Sequence, residues 1–420
     1  MHYPHLAARG AIAGLLSQSL ESFLGFFGDP LAPLAQAMEL DPDLAEARVL
    51  RAWMLMTAGD ASLVPMARED VAVARRSAAG TRLSLHLDAL ERWCGGDWRG
   101  AARAVEDINL QFPHDVLALL VGHFLDYYVG DARTQLVRTE RAIAQWDPQR
   151  PGWHAVLGMY AFGLEENARY REAERFGRMA VEVEPRNAWA QHAVAHVLEM
   201  QGRPRDGIAW MESNPHWQAD SGLSPHNWWH LALFHMALGD LERIVALYDG
   251  PITDGVEPRP LPLHDASSML WRLRLRGQPL GDRWNELADR WAPYADEQWS
   301  AFNDWHALMA FVGAGRGDLV ERKLRAQADA QARGDYRTGL ADAGHAVCRA
   351  IVAHGNDDHR RVVELLRPIR GQTHRMGGSV AQRDLVELTL MDSARRSGQR
   401  MLADALEAER HNAMQWRAAA

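Results

Sequence analysis

The sequence predicts an all-α fold, a right-handed superhelical solenoid of stacked helical hairpins, and three observations predict it. No run alternates apolar and polar residues as a half-buried strand does. A Gly-Asp pair recurs at Gly59-Asp60, Gly96-Asp97, Gly130-Asp131, Gly239-Asp240 and Gly317-Asp318. The step from Gly96 to Gly130 is 34 residues, which is the tetratricopeptide period. In physical terms, Gly ends the first helix of a hairpin in a left-handed conformation and Asp then caps the second.

The elements follow in chain order. Residues 1–110 read as divergent N-terminal hairpins, 111–250 as the best-formed repeats and 251–420 as C-terminal hairpins, all in one domain. In the first group Trp93 precedes a turn, Ala101 follows it and Pro113 closes the unit. In the second, Leu157-Gly158 allow close helix packing, and Ala173, Phe176, Ala180 and Pro185 mark a second helix with its terminator. Trp228, Leu231, Ala232, Gly239, Asp240 and Tyr248 fit tetratricopeptide-like positions best. Between Asp249 and Asp265 the Pro- and Gly-rich DGPITDGVEPRPLPLHD reads as a loop and as the one internal boundary. Hairpins built from AFNDWHALMAFVGAGRGDLVERKL, from GHAVCRAIVAHGNDDHRRVVELL and around Gly398 complete the array.

Composition narrows the function. A net charge of −9 with no Lys/Arg run argues against nucleic acid as the main partner. Cys94 and Cys348 stand far apart without metal-type spacing, which points to a reducing compartment and no disulfide framework. No apolar stretch is long enough to span a bilayer and no signal peptide is recognisable, so a cytoplasmic, membrane-free protein is the expectation. The 16 Trp and 19 His are many for this length; most of the Trp are expected to fill helix interfaces. No nucleophile elbow, phosphate loop or dinucleotide fingerprint occurs, so no nucleotide cofactor is expected.

The segments HAVAHVLEMQGRPRDGIAWM and HNWWHLALFHMALGD resemble the tetratricopeptide repeat protein 38-like family. The likeness extends through GWHAVLGMYAFGLEEN, DASSMLWRLRLRGQPLGDRW, FNDWHALMAFV and MGGSVAQRDL, roughly residues 110 to 390. The resemblance implies helical repeats but no defined reaction. It also implies a His where this chain has Val380.

The candidate site comes from spacing. His192 and His196 are four apart, as are His226 and His230, and such pairs share one helix face. Two HxxxH pairs on neighbouring hairpins suit a divalent transition metal (Zn, Fe, Mn or Co), with Glu199 as general base or further ligand. Each pair equally suits a buried, hydrogen-bonded packing role. Trp228 and Trp229 stand beside the second pair as a surface for a flat or polar substrate. His154 and Glu166, with Glu165, are further substrate contacts. Asp304 and His306 in FNDWH read as a carboxylate-oriented imidazole, Asp304 equally as a helix cap. Arg383 with Asp384 can take an anionic or polar group.

Two functions fit this pattern. One is an enzyme acting on a small polar or aromatic molecule in a His/Glu/Trp-lined cavity, by metal-dependent oxidation or hydrolysis. The other is a tetratricopeptide-type scaffold holding a peptide or protein partner in its groove, with oligomerisation left open. Non-catalytic metal or small-molecule sensing is a third.

Overall fold

The computed structural model describes residues 4–333 and 339–419. Among them every regular element is helical, and the chain is an all-α array of tetratricopeptide-like hairpins. The hairpins run α1 (Pro4–Gly25) with α2 (Leu31–Leu40), α3 (Ala45–Thr57) with α4 (Val64–Ser77), and α5 (Thr81–Cys94) with α6 (Trp98–Gln111). Next come α7 (Val116–Val129) and α8 (Ala132–Ile143), α9 (Trp153–Glu166) and α10 (Tyr170–Val183), then α11 (Ala188–Met200) and α12 (Pro204–Ser213). After them stand α13 (Ser224–Leu238) with α14 (Leu241–Leu247), α15 (Pro260–Leu275) with α16 (Arg283–Trp291), and α17 (Ala301–Gly313) with α18 (Gly317–Ala332). The last are α19 (His345–Gly355) with α20 (His359–Leu366), and α21 (Val380–Arg396) with α22 (Arg400–Ala419).

Burial explains the division of labour within a hairpin. α9 is buried without a break from His154 to Glu165, as α17 is from Ala301 to Phe311. A helix apolar on all sides has to be enclosed. α10, by contrast, buries only Tyr170, Ala173, Gly177 and Ala180, a single stripe three or four residues apart, and turns its charged face outward. First helices such as α9 and α17 therefore carry the core, and polar side chains such as His154 and Asp304 are drawn inside with them. Trp153, Trp210, Trp228 and Trp416 apart, the tryptophans are buried.

The Gly-Asp turns hold at four of their five positions. Gly59, Gly96, Gly130 and Gly239 take positive φ. Asp60, Asp97 and Asp240 accept hydrogen bonds from the backbone N–H of Ser62, Gly100 and Arg243. The fifth is shifted. Gly315, not Gly317, takes the left-handed conformation, and Gly317 is already the first residue of α18. Asp318 consequently lies in the first turn and pairs with Arg316, Oδ1 to Nε at 3.1 Å. The Pro-rich loop is also shorter than expected: α15 begins at Pro260, because Pro fits a first helical turn where no N–H is needed.

The chain falls into two compact units. The first comprises Met1–Asp126, Ala132–Val197 and Ala209–Asn227; the second comprises Tyr127–Asp131, Leu198–Ile208 and Trp228–Ala420. No described helix is long and apolar enough to cross a membrane.

Candidate functional site

In the first unit, α11 and the start of α13 bring three imidazoles together. His192 and His196 lie one turn apart with ring centroids at 4.4 Å. His226 reaches His192 with its Nε2 3.0 Å from the other Nε2. One ring nitrogen from each of the three lies within 4.8 Å of the others. Phe162 of α9 stacks on His192 at 5.5 Å and meets His196 edge-on at 5.2 Å, while Trp189 stands 4.9 Å from His192. Glu165, one turn of α9 further on, places Oε2 3.5 Å from His196 Nδ1, with both side chains fully buried. Glu166 is half-buried and its carboxylate belongs to the same Glu165–His196 group.

Behind this cluster stands a histidine that spacing could not reveal. His123 of α7 is fully buried, edge-on to Phe162 and Trp189 at 5.5 and 5.4 Å. Burial, with help from the nearby Arg138 charge, pushes its pKa down to about 3, so it is a neutral ring at physiological pH. Its one signal in the sequence is a lone His on an apolar first helix, with no partner four residues away. The first unit thus offers nitrogen donors, apolar aromatic walls and a carboxylate beside one donor.

In the second unit, His230 pairs with Glu199. His230 Nδ1 lies 3.0 Å from Glu199 Oε2, and the imidazole is fully buried. Burial pushes the Glu199 carboxyl from 4.5 up to about 8, a rise that the positive charge of Arg272 only partly opposes. The shift favours the protonated carboxyl. Glu199 also lines a half-open cavity of about 450 Å³ with Val380, Arg383, Asp384 and Arg410. Arg410 forms two bonds to Asp384, Nη2 to Oδ2 at 2.9 Å being one of them. Arg383 donates to the Gly378 carbonyl. Arg370 bonds Glu409 at 2.8 Å and Glu387 at 3.3 Å, and Arg417 donates to the Met200 sulfur. Four guanidinium groups thus line this cavity beside the carboxyl groups of Glu199, Asp384, Glu387 and Glu409. Val380, where the resemblance implies a His, lines the same cavity.

The remaining sequence-picked residues lie in packing roles. His154 is held at both ring nitrogens, by Glu21 Oε1 at 2.7 Å and by Asn187 Nδ2 at 2.9 Å. Trp229 is buried, donates to Ser268 Oγ at 2.8 Å and lies under the Arg272 guanidinium at 5.3 Å. Trp228, its neighbour, is half-buried. Asp304 does not orient His306, because two residues along a helix point apart. It binds Lys323 Nζ at 3.1 Å and Gln327 Nε2 at 2.8 Å instead. Nor does it cap α17; Ser300 does, accepting from Asn303 N. His306 donates from Nδ1 to the Phe302 carbonyl at 2.7 Å. Burial first, then the neighbouring His264, holds its pKa well below the ordinary value.

No family model matches the chain. Among solved structures it is similar to yeast Tom70, with TM-score 0.42 and 9% identity over 91% of this chain and 88% of that one. It is similar also to the human IFIT1 dimer with m7Gppp-AAAA, with TM-score 0.37 and 12% identity over 96% and 94%. A third is the APC/C hetero-tetramer Cut9-Hcn1, with TM-score 0.37 and 12% identity over 86% and 72%.

Proposed function

We propose that the chain is a tetratricopeptide-type interaction scaffold of the 38-like kind, whose second unit receives a carboxylate-bearing segment of a protein partner. The observation that carries this reading is the gathering of four guanidinium groups, Arg370, Arg383, Arg410 and Arg417, around one cavity. Planar guanidinium groups match a carboxylate in shape and charge. Beside Arg417, on the last turns of α22, Trp416 is 61% exposed. Trp and Arg are the residues that dominate binding energy at interfaces. The test is fluorescence polarisation with a panel of short peptides ending in a free or an amidated C-terminus, or carrying an internal acidic residue. Binding of a carboxylate-bearing member, weakened about tenfold or more by Trp416→Ala and by Arg417→Ala, supports the reading. Equal affinity for amidated, uncharged peptides would count against it.

A second reading is favoured by one specific observation, the Glu199 carboxyl pushed up to about 8 beside His230 at the cavity wall. A group titrating near working pH serves general acid–base chemistry well. On this reading the cavity turns over a small polar or aromatic molecule bearing a carboxylate. Glu199→Gln separates the two: it leaves peptide affinity within about threefold on the scaffold reading, and lowers turnover by roughly 100-fold or more on the enzymatic one.

A further inference from the structure

We infer that His192, His196 and His226 form a binding site for a divalent transition metal of the zinc class in the core of the first unit. Three ring nitrogens lie within 4.8 Å of one another, near enough for small ring rotations to bring them around one ion with Zn–N bonds of about 2.0–2.1 Å. The His192 and His226 Nε2 atoms approach to 3.0 Å, a hydrogen bond in which one ring donates to the other, and an ion would take the place of the shared proton. Elsewhere His154 meets Glu21 and the Asn187 amide, and His306 the Phe302 carbonyl, whereas the Nε2 atoms of His192 and His226 face each other.

The surroundings fit the same assignment. Glu165 sits 3.5 Å from His196 Nδ1, the place of a carboxylate that fixes a ligand ring and raises its basicity while the other nitrogen takes the metal. Phe162 and Trp189 hold the rings rigidly from the sides, so the donors lose little freedom on binding. Imidazole donors select zinc, cobalt or nickel over magnesium and calcium, which demand oxygen. His226 is half-buried at the first turn of α13, which leaves the cluster an approach from solvent.

The test uses the full chain, stripped with a chelator and made without a His tag. Calorimetric titration with Zn²⁺ should show one tight site per chain, and Mg²⁺ at the same concentration should show none. His192→Ala and His226→Ala should each weaken Zn²⁺ by 100-fold or more. Glu165→Gln, which removes no ligand, should weaken it by about 10- to 100-fold. Helical circular dichroism confirms that each variant is folded. Should the histidine variants fail to fold, the Co²⁺-loaded wild type decides: an intense nitrogen-ligated visible spectrum supports the site, and a weak, octahedral, all-oxygen spectrum overturns it. Absence of saturable Zn²⁺ binding overturns it as well, as does unchanged affinity in folded His192→Ala and His226→Ala chains.

Discussion

At the scale of single residues, the two units each contain a group whose charge state is set by burial, and each makes a pH prediction. Glu199 ionises near 4.5 when exposed and near 8 in the folded chain. Between those values the folded state keeps a proton that the unfolded state has released. Its contribution to stability is therefore full below about 4.5 and declines as pH rises to about 8. Urea melts across that window should show a downward slope that Glu199→Gln reduces. His123 has the opposite sign. Its folded pKa of about 3 lies below the ordinary 6.5, so its contribution is full above 6.5 and is lost as pH falls toward 3. His123→Phe should lessen acid sensitivity measured by thermal melts at falling pH. Arg138 makes a third case. It is fully buried, held by Asp126 at 2.8 Å through Nε and by Asn109 at 2.7 Å through Nη1. Arg138→Leu would strand the Asp126 carboxylate, and the unfolding free energy from urea melts should fall by about 3–5 kcal/mol.

At the scale of elements, caps and close approaches decide how hairpins turn and stack. Asp97→Ala removes the acceptor for Gly100 N and should cost roughly 1 kcal/mol in the same melts. Gly313 lies where any Cβ would overlap the Trp284 ring, so Gly313→Ala should cost about 1–3 kcal/mol through displacement of that buried side chain. Much of this level was legible in the sequence. Gly-Asp dipeptides state their own mechanism, and four of the five fell at left-handed turns. The fifth misled because Gly313, Gly315 and Gly317 alternate, and only backbone geometry decides which one turns. An equivalent turn at Asp357-Asp358 went unseen: Asp357 adopts φ 55 without being glycine, and Asp358 caps α20 by accepting from Arg361 N at 3.1 Å.

At the scale of the whole molecule, the fold class was readable because the 34-residue step from Gly96 to Gly130 and the helical spacing of apolar residues both stand in the sequence. The sites were only half readable. His192, His196 and His226 were found through their four-residue steps, a relation local to one helix. Their assembly with Glu165 and Phe162 depends on which faces α9 and α11 present to each other, and no local pattern encodes that. The same limit hid His123, and it joined Asp304 to His306 when the buried partner is Lys323 of α18. The cavity lined by Glu199 and Arg410 joins residues more than two hundred positions apart, beyond the reach of any motif.

The threading of the two units has a consequence for biosynthesis. Tyr127–Asp131 and Leu198–Ile208 belong to the second unit, yet they leave the ribosome before Trp228–Ala420 exists. These two short segments meet companions made later, as Met200 does when Arg417 donates to its sulfur. The second unit is therefore complete only when its final hairpins have been made.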